Sequence, residues 1–297
     1  MDRLDAMAVF AAAVETRSLS AAGRKLGMPL ATVSRKLSEL EAHLKTRLLL
    51  RSTRQLTLTE AGHAYLAACK QILEAVNEAE QAASGEYTTP RGELIITAPI
   101  VFGRLHVLPI VTEFLGAYPE VDARLHLGDR TLNLLDEHID LAVRIGELPD
   151  SQLSATPVGE IRYVVCASPG YFSLRGKPQS PSELEAHQCI AFESLTSRNA
   201  WSFVVDGADV SVPITARLHV NTAEAAIDAA VAGFGITRVL SYQVSAAVQG
   251  GTIGIALEAF EPAPLPVNLV FDKQGRLPVK LRAFLDFATP RLRERLR

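Results

Sequence analysis

Tryptophan occurs once in the 297 residues, and methionine and cysteine three times each. Cys69, Cys166 and Cys189 are odd in number and far apart. They argue against a disulfide framework and for reduced, partly buried thiols in a cytoplasmic protein. A redox-sensing role stays open beside an inert one, although no neighbouring pair offers a resolving partner. Long apolar runs are scarce as well, so no segment is expected to cross a bilayer. Asp2, Arg3 and Asp5 interrupt the apolar start that a secretory leader needs. A cytoplasmic location without membrane contact is the expectation.

Catalytic signatures are missing too. There is no P-loop, no Gly-x-Ser-x-Gly elbow and no Gly-x-Gly-x-x-Gly turn. His43, His63, His106, His126, His138, His187 and His219 are scattered without metal spacing. His187 and Cys189 stand close, but two ligands without partners do not make a zinc site. No catalytic residue, metal site or cofactor is expected, and the chain is not expected to be an enzyme.

What is present begins at Ser18. Leu19, Ala22 and Leu26 fall at helical spacing. Gly27 suits a helix end, because glycine tolerates the left-handed conformation that closes the last turn. Pro29 suits the first turn of a new helix, where its missing N–H costs nothing. Val33, Leu37, Leu40 and Leu44 then form one apolar stripe. Thr32, Ser34, Arg35 and Lys36 lie off it. Small hydroxyls can approach base edges or phosphates, and arginine can bond both guanine acceptors in the major groove. These residues alone equally describe an ordinary helical hairpin with a solvated charged face. The segment from Leu48 to Thr59 reads as a hairpin with Arg51 and Arg54 at its tip. A basic wing beside a candidate reading helix meets the requirement for phosphate anchoring.

Charge is distributed accordingly. The net charge of −3 combines +4 over residues 1–60, −3 over 61–90 and −4 over the remainder. A basic head on an acidic body fits nucleic-acid contact through the head only.

The turn, the Val33-Ser34-Arg35 triplet, Leu40-Glu41, the Arg51-Ser52-Thr53-Arg54 wing and Leu58-Thr59-Glu60-Ala61-Gly62 together resemble the LysR-type transcriptional regulators. The resemblance implies a winged helix-turn-helix over residues 1–59, with its second helix in the major groove of double-stranded DNA. Ser18, Arg24, Thr32, Ser34, Arg35, Lys36, Arg51 and Arg54 are the candidate DNA contacts. One departure concerns base choice: Pro29-Leu30-Ala31 stand where many members carry polar residues.

Residues 60–90 are read as a linker helix and hinge. Tyr65, Cys69, Ile72, Val76, Ala79 and Ala83 follow the four-three alternation of a coiled-coil seam. A long helix packed on its own domain shows a similar stripe; the bridging position favours dimerisation. The resemblance extends this to a homotetramer, a dimer of dimers. Gly85 to Gly92, broken by proline and glycine, closes the linker.

From Glu93 the pattern becomes alternating strands and helices, which argues for parallel α/β sheets with ligands at their carboxyl ends. The fold class is therefore α+β overall. It combines the winged head, a long linker helix and a C-terminal effector domain over 91–297. By resemblance that domain is two-lobed and similar to periplasmic binding proteins. Lobe one covers 91–162 and 267–297, and lobe two covers 163–266. Thr97-Ala98-Pro99 opens a helix whose free amides favour an anion. Thr97 offers a hydroxyl there and Phe102 an apolar wall. Asp129, Arg144 and Gly146 follow later strands, and Asn221-Thr222-Ala223-Glu224 reads as a capping box. Thr97, Pro99, Phe102, Asp129, Arg144, Gly146, Asn221 and Thr222 are the candidate effector contacts. Several have structural alternatives: a helix cap for Thr97, Asp129 and Asn221, a salt bridge to Asp129 or Glu147 for Arg144, and core packing for Phe192 and Trp201. The functional expectation is a DNA-binding regulator controlled by a small, carboxylate-like effector held between the lobes. The alternative is a solute-binding or enzymatic α/β domain with an N-terminal interaction module.

Overall fold

A computed structural model of the chain describes residues 2–51, 56–83, 89–130, 132–134, 137–149, 152–192, 200–273 and 277–296. The chain divides into two compact units, Met1–Gly92 with Arg276–Arg282, and Glu93–Gly275 with Ala283–Arg297.

The first unit opens with α1 (Arg3–Glu15), capped by Asp2, whose carboxylate accepts the amide of Leu4 at 3.0 Å. α2 (Leu19–Leu26) starts where the Ser18 hydroxyl accepts the Ala21 amide at 3.3 Å. Such a cap contributes about 1 kcal/mol. α2 closes at Gly27, whose φ of 65° is left-handed. Gly23 is required for a second reason: a Cβ there would stand 2.6 Å from the Met28 carbonyl oxygen. α3 (Leu30–Leu44) begins directly after Pro29, which takes the N-cap position with no side-chain cap bond, one place before the first-turn position expected for it. Val33, Leu37 and Leu40 are fully buried against Val9, Phe10 and Ala22. Each such side chain contributes roughly 1.5–3 kcal/mol by leaving water.

β1 (Leu49–Arg51) and β2 (Leu56–Leu58) pair antiparallel, with Leu50 opposite Thr57. The tip, including Arg54, lies outside the described residues, and of Arg51 only the backbone is described. α4 (Glu60–Ala83) follows. Thr59 caps it: its hydroxyl accepts the Gly62 amide at 2.9 Å and donates to the Arg47 carbonyl at 2.7 Å. The first part of α4 packs on its own head. Cys69 is fully buried there, and the Tyr65 ring centroid lies 5.8 Å from that of Phe10. This corrects the expected seam, whose first two positions serve the head core. Further on, Ile72 and Ala79 are exposed and Val76 half-buried.

The second unit begins with β3 (Gly92–Ala98), α5 (Ile100–Phe102), a π-helical turn (Gly103–Val107) and α6 (Leu108–Ala117). β4 (Val121–Leu127), β5 (Leu141–Ile145) and β6 (Ser154–Ile161) complete the first pass through lobe one. After Arg162 the chain enters lobe two as β7 (Tyr163–Ala167) and α7 (Pro169–Arg175). Then come β8 (Cys189–Phe192), a hairpin of β9 (Ala200–Val205) and β10 (Ala208–Pro213), and β11 (Ala216–Val220). α8 (Ala223–Val231), β12 (Ile236–Leu240), α9 (Ser241–Gln249) and β13 (Gly254–Ala256) finish lobe two. The chain returns through β14 (Leu265–Phe271) and ends in α10 (Val279–Arg295).

Strand order is β4-β3-β5-β14-β6 in lobe one and β11-β8-β12-β7-β13 in lobe two. Both sheets are mixed, which corrects the expectation of parallel sheets. β3 runs parallel to β5, but the returning β14 is antiparallel to β5 and β6. In lobe two β8 is parallel to β11 and β12, whereas β7 is antiparallel to β12 and β13. The strand that arrives from the other lobe, β7 in lobe two and β14 in lobe one, runs against the neighbours it pairs with.

A second correction concerns the run Ile100–Ala117. Its 18 residues, at a mean hydropathy of 1.4, are long and apolar enough to cross a membrane by length and composition. One face is spent inside lobe one, where Val101, Phe102, Val107, Ile110, Val111 and Phe114 are buried. A core helix shows the same apolarity.

All three cysteines are free and fully buried. Burial pushes the Cys69 and Cys189 thiols up to about 11 and the Cys166 thiol up to about 12. The thiolate is the reactive form. Aromatic disulfide reagent at pH 8 should therefore find three thiols only after unfolding. A thiol in the native chain that reacts at the speed of free cysteine would contradict this burial.

Candidate DNA-reading face and effector site

The packing of α3 decides which of its side chains can meet DNA. With Val33, Leu37 and Leu40 inward, the outward stripe is Ala31, Arg35, Ser38 and Ala42, continued by Leu30, which is 49% exposed. Thr32 and Ser34 flank this stripe half-buried. The Arg35 side chain is exposed and donates to Glu39 at 2.7 Å, one turn on. Such an exposed pair contributes a few tenths of a kcal/mol, so a phosphate or guanine can displace Glu39. Lys36 is placed differently. Its ammonium pairs with Asp5 of α1, and its side chain is mostly covered. Of the expected contacts, then, Arg35 stands on the open stripe and Lys36 ties α3 to α1. Ser38 is open and was not among those contacts; its place follows from the seven-residue spacing to Ala31.

Ser18 spends its hydroxyl on the α2 cap, while Arg24 is exposed in the last turn of that helix. Glu41 joins the reading helix to the wing: its Oε1 accepts the amides of Leu48 at 2.8 Å and Leu49 at 3.1 Å. The β1–β2 ribbon therefore leaves α3 at a fixed place, as a backbone anchor beside a reading helix must.

In the second unit, Thr97 is opposite Ala142 in the parallel β3–β5 pair. Pro99, Arg144 and Gly146 consequently leave the same sheet edge. Thr97 is 1% exposed within β3 and does not cap the helix; the residue before the helix is Pro99. Asp129 Oδ1 accepts the Ile100 amide at 3.1 Å. One of the amides expected to be free for an anion is thus held by the protein's own carboxylate. Arg144 makes neither of the salt bridges considered for it. Its guanidinium donates to the Leu132 carbonyl at 3.0 Å, and burial lowers its pKa. Gly146 has φ 105° and donates its amide to the Pro266 carbonyl at 2.9 Å.

Across in lobe two, the α8 cap is Thr222, whose Oγ1 accepts the Ala225 amide at 3.3 Å. This corrects the expected capping box: Asn221 sits before the cap, and Glu224 reaches Arg104 of lobe one at 3.8 Å. Phe102 is no open wall either. It is fully buried, edge-on to Tyr242 of α9 at 5.4 Å and 4.8 Å from the His106 ring. The π-helical turn aims His106 at the same tyrosine, 5.6 Å away. Such turns recur where a helix is distorted for function. Sequence reasoning passed over Tyr242 and His106, because a single-turn π-helix has no residue signature. Trp201 is 5% exposed in the lobe-two core. Among the described residues no cluster of three metal-ligating side chains occurs.

Residues 4–63 match the family model described as a bacterial regulatory helix-turn-helix protein, lysR family. Residues 88–293 match that of the LysR substrate binding domain. An HTH-type transcriptional regulator of Xanthomonas campestris is 37% identical over 289 residues, covering 96% of this chain and 84% of the relative. The solved structure of CrgA, a LysR-type transcriptional regulator from Neisseria meningitidis, is 30% identical. It superposes with a TM-score of 0.63 over 97% of this chain and 98% of that one. The full-length Vibrio cholerae virulence activator AphB gives 27% identity and a TM-score of 0.61 over 96% and 98%.

His106 Nε2 is buried without a hydrogen-bond partner. Burial, then the charge of Arg295, holds the ring's pKa below the ordinary imidazole value. The folded chain keeps the ring neutral while the unfolded chain takes up a proton below about pH 6.5. The stability this ring contributes is present above that pH and is lost as the pH falls. The urea midpoint should accordingly drop more between pH 7 and pH 5.5 in the native chain than in His106→Phe. Equal drops would remove His106 from the acid response.

Proposed function

Because this chain belongs to the LysR family of transcriptional regulators, and is a regulator rather than an enzyme, we propose how its parts divide the work. Residues 1–59 read operator DNA, 60–90 join subunits, and 91–297 bind the controlling molecule. Arg35 and Ser38 face base edges, Leu30 and Ala31 offer apolar contact to thymine methyls, and Arg24, Arg51 and Arg54 anchor on phosphates. Thr32 and Ser34 contribute from the flanks of the stripe, and Ser18 through the helix start it caps. The observation that carries this assignment is the open Ala31–Arg35–Ser38 stripe beside a wing fixed by Glu41. The chain works in the cytoplasm, where its DNA is.

The effector is held between the lobes, by Thr97, Pro99, Asp129, Arg144 and Gly146 from one side and Asn221 and Thr222 from the other. Phe102 supports that wall from within. An anionic effector competes with Asp129 for the Ile100 amide, and that competition supplies the differential interaction a switch requires. Self-association uses two surfaces. The outer half of α4 presents Ile72 and Val76, and the second unit leaves Leu105 and Leu108 of one lobe and Val231 and Phe234 of the other exposed. Paired linker helices give a dimer, and both surfaces together give a tetramer.

Arg35→Ala should lower operator affinity by about 1–3 kcal/mol in a gel-shift titration, the range for a bidentate guanine contact. Unchanged affinity would displace Arg35 from the groove. Ile72→Glu puts a charge on the proposed α4 seam and should reduce the particle mass seen by light scattering. An unchanged mass would take the helix out of the interface.

A further inference from the structure

Lobe two holds a pocket of about 410 Å³ that none of the proposed effector contacts lines. Its walls come from Tyr163 at the start of β7, Phe192 at the end of β8 and Trp201 in β9. Arg238 and Leu240 of β12 and Pro262, in the segment leading back to β14, complete it. This volume is in the range of small-molecule sites.

Among the described residues that line it, Arg238 is the one cation. Its guanidinium carbon lies 4.2 Å from the Tyr163 ring centroid and 5.8 Å from that of Phe203. Ring faces stabilise the cation but accept none of its five N–H groups in ordinary hydrogen bonds. Against the desolvation of the Arg238 guanidinium by burial, Glu261 lies near enough for its carboxylate to favour the charged form. That attraction acts without a hydrogen bond, because Oε2 of the carboxylate accepts Arg162 at 2.6 Å and Oε1 is buried without a hydrogen-bond partner. Partly desolvated donors without a hydrogen-bond acceptor are costly, and a ligand oxygen relieves that cost.

We infer that this pocket is a second small-molecule site, which takes an aromatic monocarboxylate with its carboxylate on Arg238 and its ring against Trp201, Tyr163 and Phe192. One charge is specified because, among the described residues, one cation lines the pocket; a second carboxylate would be desolvated against Leu240, Val239 and Pro262. An amine is disfavoured because, among the described residues, no acidic side chain lines the walls. A flat ring is specified by three aromatic walls. Tyr163 follows one crossing between the lobes and Pro262 belongs to the other, so a ligand here touches both hinge segments and bears on the lobe arrangement.

The inference goes beyond the regulator reading and is tested without DNA, so operator binding and this site can fail separately. Trp201 is the single tryptophan of the chain and lines the pocket, so its fluorescence reports occupancy directly. The full chain is titrated with benzoate, and with benzyl alcohol and acetate, which lack the charge or the ring. Benzoate should change the emission saturably, while both analogues and Arg238→Gln should weaken binding at least about tenfold, as for loss of a charge-assisted bond. Ala263→Phe, placed at an exposed position of the lining, should abolish the response with the thermal midpoint near that of the native chain. This variant carries the test if Arg238→Gln fails to fold. No saturable change up to about 10 mM benzoate, well above a Kd of order 1 mM, would overturn the inference. So would equal binding of benzyl alcohol, or full binding by a folded Arg238→Gln or Ala263→Phe chain.

Discussion

The lobes of the second unit are joined by two short crossings, and the ion pair between Arg162 and Glu261 ties those crossings together. The Ser241 amide donates to the Arg162 carbonyl at 2.8 Å, so the first crossing is also pinned to the start of α9. This constraint reverses strand direction in both sheets, because each lobe must accept a strand that arrives from the other. It also limits the movements available. Lobes connected only there can close or twist about the crossings, while the Phe102–His106–Tyr242 stack and the Arg104–Glu224 pair hold them at a distance from that hinge. A ligand acts on this arrangement only as far as it favours one setting over another.

The head follows a different economy of charge. Lys25 pairs with Glu15 at 2.6 Å, Lys36 with Asp5 and Arg35 with Glu39. Only the Lys36 pair is substantially covered, so it fastens α3 to α1, whereas the exposed pairs contribute little to stability and can exchange partners. Base reading accordingly rests on few side chains per head. On the proposed pairing of subunits, two heads on two half-sites would supply the affinity that one head lacks.

The head was largely legible in the sequence because its signals are local. Gly27 closes α2, and Val33, Leu37 and Leu40 repeat at helical spacing within a few residues of one another. The side of α3 that α1 covers is not legible, since it depends on packing between distant segments: helical spacing alone does not tell that Lys36 meets Asp5 and that Ser38 is open. In the second unit Leu141–Ile145 is readable from its apolar run, and Val121–Leu127 and Ala216–Val220 from the alternation of apolar and polar residues. β6, interrupted by Pro157 and Gly159, is not, and the direction of β14 depends on a return from another lobe. Asp129 on the Ile100 amide and Arg238 against Tyr163 join residues 29 and 75 positions apart in number, contacts that no local pattern encodes.

The burial of Tyr65 and Cys69 in the head has a mechanical consequence. The start of α4 cannot bend away from the reading helix without opening the head core, so head and helix turn as one piece. The 24 residues of α4 span about 36 Å at 1.5 Å per residue. Over such an arm, a tilt of about five degrees displaces the far end by about 3 Å, close to the 3.4 Å step between successive base pairs. Angular changes too small to disturb any packed core are therefore large on the scale at which DNA is read.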